Sequence, residues 1–156
     1  MREESQLQES GTGTYLGFDY GERNIGVAVG QRVTATATGL ETIRATSDQA
    51  LWTAVSRLVG IWQPAAFVVG MPYHPTGEEN PIVQPILRFC GQLEERYHRP
   101  VYIMDETLST MESQAIFYRE RSKRSVQFTD IKDELAAQLI LQTWLKHTAP
   151  RADSAA

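Results

Sequence analysis

The sequence predicts an α/β fold in which a mixed five-stranded sheet is flanked by helices. Three observations predict it: short β-prone segments with tight turns open the chain, helical and strand patterns then alternate, and two later strand patterns are almost wholly apolar. The chain has 156 residues, 42% of them hydrophobic, which suits one domain with one core. We therefore expect a single domain over residues 14–148, between flexible polar tails at 1–13 and 149–156.

The first three predicted strands form an antiparallel meander. Strand patterns cover residues 15–19, 25–29 and 33–40, and the turn-rich stretch from Tyr20 to Asn24 joins the first two. Short strands with tight connections pair antiparallel with their neighbours in sequence. This part of the chain should therefore supply one half of the sheet.

Helices and buried strands alternate in the rest of the chain. Pro85 lies one turn into the second predicted helix, so that helix is expected to have a distorted first turn or to start later. Right-handed crossovers should add two parallel strands to the meander. The predicted elements are a helix capped by Ser47, a strand at 65–70, a helix opening at Asn80-Pro81, a strand at 101–104, a helix from the capping box Ser109–Glu112 to Arg121, and a final helix over about 130–147.

Composition restricts the class of protein. Cys90 is the single cysteine and lies among apolar residues, so we expect a core residue and no disulfide framework. The N-terminus has no apolar signal segment and no apolar run is long enough to span a membrane, which predicts a cytoplasmic protein with no membrane partner. The net charge of −4 is not that of a strong nucleic-acid binder, so the distribution of charge matters more than its sum.

Three acidic residues follow predicted strands or open a helix. Asp19 closes the first strand, Glu106 comes directly after the strand at 101–104, and Asp133 lies in the first turn of the predicted last helix. Ligands of open α/β sheets bind beyond the carboxyl ends of parallel strands. The small residues Ala136 and Ala137 would let the last helix approach the sheet closely and bring Asp133 towards the strand ends.

Each acid also has a purely structural interpretation. Asp19 could start the hairpin as an Asx-turn, Glu106 could be a solvated loop residue, and Asp133 could complement the helix dipole. Together, however, the three form a plausible all-oxygen cage for Mg²⁺ or Mn²⁺. The histidines show no metal-ligand spacing and are interpreted as surface residues: His74, His98 and His147.

Five segments in this order resemble the YqgF (RuvX) family. They are Leu16–Gly21, Ile25–Val29, Val68–Pro72 with Gly77, Asp105–Thr110 and Asp133–Gln142. Each motif is weak alone, but five in order with suitable gaps are specific. The resemblance implies an RNase H-like fold and nuclease chemistry, in a family described both as Holliday junction resolvases and as nucleases that process the small-subunit ribosomal RNA precursor. Its acidic positions fall on Asp19, Glu106 and Asp133.

The sequence departs from the family pattern at basic positions. Asn24 follows Arg23 where the family has a basic pair, and Thr107 stands where it has an arginine. Lys132 precedes the last acid in place of a common valine. Loss of two basic groups puts rate and substrate preference in doubt more than the fold.

Our hypothesis for the mechanism follows from the positions of these residues. In a two-metal scheme, carboxylates hold two divalent ions about 3.5–4 Å apart; Asp19 would bridge both ions, and Glu106 and Asp133 would each serve mainly one. Gly21 and Gly70 would let the backbone approach a phosphate. The complete predicted substrate-binding set is Gly21, Arg23, Gly70, Pro72, Thr110, Arg119, Arg121, Lys123 and Arg124.

Positive charge for phosphate binding is concentrated late in the chain. Residues 119–132 contain five basic and two acidic side chains, which favours a phosphate-binding loop, although a solvated helix end would look the same. With no dimer helix or heptad in the sequence, we expect a monomer or weak homodimer that binds nucleic acid.

Several functions fit these signals. We expect a nuclease that processes the 5′ end of the small-subunit ribosomal RNA precursor. The alternatives are a Holliday junction resolvase, which needs two active sites and so a dimer, and a non-catalytic RNA- or ribosome-associated factor. Sugar kinases and actin-like ATPases share some local signals but need two lobes, and 156 residues supply one.

Overall fold

The computed structural model describes residues 9, 11–72, 80–106 and 128–148, with side chains in the last helix from Asp133 onward. The third predicted helix, from Ser109 to Arg121, lies outside these residues. The described elements are β1 (Thr14–Asp19), β2 (Asn24–Gln31), β3 (Thr36–Arg44), α1 (Asp48–Trp62), β4 (Ala66–Met71), α2 (Val83–Tyr97), β5 (Val101–Asp105) and α3 (Phe128–His147).

The five strands form one mixed sheet in the order β3-β2-β1-β4-β5. β1 pairs antiparallel with β2, which pairs antiparallel with β3. β1 also pairs parallel with β4, and β4 pairs parallel with β5. The predicted meander followed by parallel crossovers is therefore confirmed, and β1 is the strand at which the two kinds of pairing meet.

One predicted boundary was wrong, and a second element begins at the later of its two expected positions. β3 runs from Thr36 to Arg44, not over 33–40, because residues 32–35 form the hairpin turn, in which Val33 is 90% exposed and Ala35 has a positive φ of 54°. α2 begins only at Val83, so the later of the two expected starts is correct. The backbone N–H of Ile82 donates to the Asn80 side chain at 3.1 Å, which ends the turn before the helix.

The helices cover both faces of the sheet. α1 and α2 pack on one face, in a core that includes Phe18, Trp52 and Phe89. α3 packs on the other face, where its buried residues meet Tyr15, Ala28 and Val68 among others. The predicted cap of α1 is confirmed, because the Ala50 N–H donates to the Ser47 hydroxyl at 3.0 Å. No helix in the described segments is long and apolar enough to cross a membrane.

Glycines on the sheet let α3 lie close to it. An added methyl group at Gly17 would be 2.7 Å from the Leu141 Cβ, and one at Gly30 would be 2.8 Å from a Leu145 methyl. Such distances are shorter than real carbon contacts, so a larger residue would push the helix away. The predicted approach of the helix thus depends on sheet glycines as well as on Ala137, which is fully buried in the same layer.

Candidate active site

Asp19 occupies the central position of the candidate site. It is the last residue of β1, the middle strand, and is in register with Gly26 on β2. On the other side, Phe18 is in register with Val69, so Gly70 follows at the level of Asp19 on β4. Asp19 is therefore flanked by a glycine on each neighbouring strand.

Asp133 lies over the first of these glycines. A methyl group at Gly26 would be 1.9 Å from the Asp133 carbonyl oxygen and 3.1 Å from its Cβ. α3 begins at Phe128, so Asp133 is in the second turn, and its predicted place in the first turn was wrong. Because the effect of the helix dipole falls off within the first turn, stabilisation of the dipole does not explain an acid at position 133.

Glu106 lies over the second glycine. It directly follows β5, and its carboxyl carbon would be 3.5 Å from a methyl group at Gly70. The same position would be 2.5 Å from the Cδ1 atom of Ile140 on α3. Gly70 therefore leaves room for the helix, and the Glu106 carboxylate lies within ordinary van der Waals distance of the same position.

The Asp19 carboxylate interacts electrostatically with the other two acids. The pKa of Asp19 is raised from 3.8 to about 7, first by burial and then by the negative charges of Glu106 and Asp133. Burial and the charge of Asp105 also raise the pKa of Glu106. The structure thus brings all three predicted acids to the same end of the sheet, beyond the last residue of β1. The charges of the other two acids raise the pKa of Asp19.

Two further residues lie near this end of the strands: Glu134, for which the sequence left open whether it or Asp130 assists or replaces Asp133, and Thr42, which the sequence did not single out. Glu134 has a raised pKa, caused first by burial and then by the charges of Glu41 and Asp133. Thr42 is in register with Gly26, and its buried hydroxyl oxygen has no hydrogen-bond partner among the described residues. A row Asp19–Gly26–Thr42 therefore crosses three strands, and only the register, which one sequence does not specify, could have identified Thr42.

Some of the predicted substrate-binding residues lie near Asp19, and others lie outside the described residues. Arg23 is exposed in the β1–β2 turn, just beyond Asp19, and Pro72 follows β4. Gly21 is needed by the turn itself, because a methyl group there would be 2.7 Å from the Asn24 carbonyl oxygen. The remaining predicted members lie outside the described residues: Thr110, Arg119, Arg121, Lys123 and Arg124.

The donor chemistry of the site suits a hard divalent cation. Carboxylate oxygens are the preferred ligands of Mg²⁺ and Mn²⁺, and a cation would relieve the repulsion that helps to raise the pKa of Asp19. Within the described segments, however, no three His, Cys, Asp or Glu side chains stand close enough to hold an ion as they are. Thiol chemistry is disfavoured, because burial raises the pKa of Cys90 to about 12.

Comparisons with known sequences identify relatives over most of the chain. A protein of Methylococcus capsulatus named "Putative pre-16S rRNA nuclease" is 60% identical over 131 residues, covering 84% of this chain and 87% of the relative. A protein of Ralstonia pickettii with the same name is 44% identical over 137 residues, covering 88% and 90%.

A comparison of structures identifies the fold. The chain matches a structure entitled "T. thermophilus RuvC in complex with Holliday junction substrate", with a TM-score of 0.56 and 17% identity over 83% of this chain and 91% of that one. This similarity confirms the predicted RNase H-like fold. The sequence profile of RuvX, described as Holliday junction resolvase, matches residues 13–147. The chain therefore belongs to the RuvX family, and the family and fold together make it a nuclease, a hydrolase of phosphodiester bonds.

Proposed function

We propose that this nuclease processes the 5′ end of the small-subunit ribosomal RNA precursor in the cytoplasm, using Mg²⁺ or Mn²⁺ held by Asp19, Glu106 and Asp133. The observation that carries the site assignment is the pair of glycines beside Asp19. One leaves space for the backbone of Asp133, and the other leaves space for α3 at a point within van der Waals distance of the Glu106 carboxylate. Nothing in the packing of the sheet requires acids at these three points, and their mutual repulsion costs stability, so we infer a role in catalysis.

The position of each of the three residues would determine its role in holding the ions. Asp19, between the other two, would contact every bound ion, while Glu106 and Asp133 would hold the ions from the β5 side and the α3 side. Divalent ions bound there would stabilise the attacking and leaving oxygens of an in-line displacement at phosphorus. Because Glu106 and Asp133 each disfavour the charged form of Asp19 without a cation, we expect small side-chain movements to close the site when an ion binds.

Positive charge near the acids would hold the substrate. Arg23 is exposed beside the end of β1, where it can meet a phosphate next to the one being cut. Arg119, Arg121, Lys123 and Arg124 would add contacts to the backbone of the nucleic acid. Gly21, Gly70, Pro72 and Thr110 would line the path of that backbone.

RNA is the proposed substrate because the relatives at 60% and 44% identity are named for it. Four-way DNA is the second candidate, since the family is described as Holliday junction resolvase. Symmetric cleavage of a junction requires two active sites related by two-fold symmetry. A protein acting as a monomer would therefore be suited to the RNA rather than the junction.

Cleavage assays with matched variants test the proposal. End-labelled ribosomal RNA precursor and a four-way DNA junction would each be incubated with the protein, with Mg²⁺, Mn²⁺ or EDTA. We expect cleavage of the RNA at its 5′ side with either ion, none in EDTA, and at least a ~100-fold loss in Asp19→Asn. Asp48→Asn, an exposed acid in the first turn of α1, is the control and should cut like the wild type.

The outcomes separate the candidate functions. Cleavage of the junction alone would replace the RNA assignment by resolvase activity, with the site assignment intact. Full activity of Asp19→Asn would overturn the site. Metal-independent binding of RNA without any cleavage would point to a non-catalytic factor.

A further inference from the structure

Gln138 is a buried polar residue in the helix that carries Asp133. Its side chain is 3% exposed, and within the described segments it is the one polar or charged residue classed as buried. Its Oε1 atom accepts a hydrogen bond from the backbone N–H of Gly39 at 3.1 Å. One turn later, the Gln142 Oε1 accepts a similar bond from the Ala37 N–H at 3.2 Å.

These bonds attach α3 to β3, the outermost strand of the sheet. β3 is the edge strand, and alternate backbone N–H groups of an edge strand have no partner in the sheet. The register of β3 shifts between Val27 and Ala28 on its partner β2, leaving Leu40 as an extra residue next to Gly39. Bulges of this kind redirect a strand locally, and here the bulge lies beside the Gly39 N–H that Gln138 binds.

The same glycine also contacts the helix near the active site. A methyl group at Gly39 would be 3.1 Å from both the Cβ and the carbonyl oxygen of Glu134. Asp133, the preceding residue, has its carbonyl oxygen against Gly26. The hydrogen bond of Gln138 therefore lies one turn from Glu134, and Asp133, the residue before Glu134, rests on β2.

The opposite end of α3 is held independently. The Arg32 guanidinium lies 4.9 Å from the centre of the Trp144 ring, which stacks on Tyr102 at 5.0 Å. Arg32 also donates to the Thr148 hydroxyl at 3.0 Å. These contacts anchor the C-terminal end of α3, whereas the Gln138 bond lies towards the half of the helix that carries Asp133.

We propose that Gln138 is a positioning residue. By binding the Gly39 N–H, it sets how closely α3 lies on β3, the outermost strand, and so holds Asp133 opposite Asp19. This inference rests on the proposed metal-dependent function of that site. Replacing the acceptor removes the bond and leaves the Gly39 N–H unpaired under the helix. The carboxylate of Asp133 would then be displaced, while the surfaces that bind substrate stay in place.

The test compares three variants. Gln138→Met has similar length but no oxygen acceptor, Gln138→Glu keeps an oxygen at the same place, and Gln142→Met removes the equivalent bond one turn further from the site. Calorimetric Mn²⁺ affinity is measured together with thermal stability and the kcat and KM for RNA. We expect Gln138→Met to weaken Mn²⁺ binding about tenfold, in the range found for residues that orient metal ligands, and to lower kcat with little change in KM.

The controls distinguish positioning from general stabilisation. Gln142→Met should lose as much stability as Gln138→Met but keep its Mn²⁺ affinity within about twofold, and Gln138→Glu should bind Mn²⁺ within about threefold of the wild type. Equal loss of affinity in both Met variants, or none in either, would overturn the inference. A wild type that neither binds Mn²⁺ nor cleaves RNA would overturn the proposed function itself, so the two failures are distinguishable.

Discussion

At the scale of single residues, the site depends on negative charges held in an unfavourable environment. The pKa of Asp19 rises to about 7 because burial and two neighbouring acids disfavour its charged form. Residues arranged for function in this way often cost stability. The cost is measurable as a dependence of stability on pH.

Removing the Asp19 charge should stabilise the metal-free protein. Because the folded pKa of about 7 exceeds the ordinary 3.8, the unfolded chain loses its proton first as pH rises. The loss of unfolding free energy caused by the Asp19 carboxylate is therefore absent below about pH 4, grows up to about pH 7 and stays constant above it. The full shift corresponds to at most about 4 kcal/mol, and we expect Asp19→Asn to gain about 2 kcal/mol at pH 8 in EDTA, and almost nothing at pH 4.

Urea unfolding at the two pH values measures this effect. Asp48→Asn serves as a control, since Asp48 is exposed at the start of α1 and its replacement should show no such gain at pH 8. A stability difference for Asp19→Asn that is the same at pH 4 and pH 8 would contradict the assigned cause.

Neighbouring acids of α3 should differ in their effect on catalysis. Asp133 acts on the pKa of Asp19, whereas the pKa of Glu134 is raised by burial and then by the charges of Glu41 and Asp133. We therefore expect Asp133→Asn to lower kcat at least about 100-fold and Glu134→Gln to lower it less than about threefold. Single-turnover cleavage measures both, and the reverse order would make Glu134 the third metal-holding residue.

At the scale of elements, the fit between α3 and the sheet determines the site. Five strand glycines have Cβ positions that would meet α3 atoms at 3.1 Å or less: Gly17, Gly26, Gly30, Gly39 and Gly70. Gly26 is the most restrictive, because its contact is with backbone, which cannot rotate away as a side-chain end can. Packing and the geometry of the candidate site therefore depend on the same interface.

Replacing Gly26 should damage both stability and activity. A methyl group 1.9 Å from the Asp133 carbonyl oxygen must displace the helix, so we expect Gly26→Ala to lose about 2–4 kcal/mol of unfolding free energy and most of its activity. Gly60→Ala is the matched control: Gly60 lies in α1 with nothing near its Cβ position, and the change should add about 0.5–1 kcal/mol. Chemical unfolding measures both, and equal effects would contradict the close approach.

At the scale of the whole molecule, the topology assembles a site from distant parts of the chain. β1, β4 and β5 run parallel, so their carboxyl ends share one edge of the sheet. Asp19 and Glu106 come from two of these strands, and Asp133 comes from the helix that crosses them. A bound ion would link β1, β5 and α3, and so should stabilise the entire domain.

Divalent ions should therefore raise the melting temperature of the wild type. Each tenfold increase in Mn²⁺ concentration above the dissociation constant adds about 1.4 kcal/mol to the free energy of unfolding. For a chain of this size, that raises the melting temperature by about 3 °C. The rise should be absent in Asp19→Asn, while Asp48→Asn should behave like the wild type. Differential scanning calorimetry across a Mn²⁺ series measures this, and an equal rise in Asp19→Asn would place the ion elsewhere.

The elements of this protein were largely determined by local sequence. Alternating and continuous apolar patterns predicted the five strands and the three helices of the described residues, because burial of one or both faces imposes those periods. The Val33–Leu40 boundary was wrong because β-prone residues also occur in turns, where backbone geometry decides. Asp19 and Glu106 were predicted as site residues because strand ends in such a sheet meet at one edge.

The depth of α3 on the sheet was decided only by the tertiary structure. A glycine required by a turn, such as Gly21, looks the same in sequence as one required by a helix passing over it, such as Gly26. The roles of Gln138 and Thr42 likewise depend on which strand lies beside which residue. The sequence by itself determined which acids could meet; the tertiary contacts between residues far apart in the chain determined how closely they meet, because periodicity encodes faces and not distances.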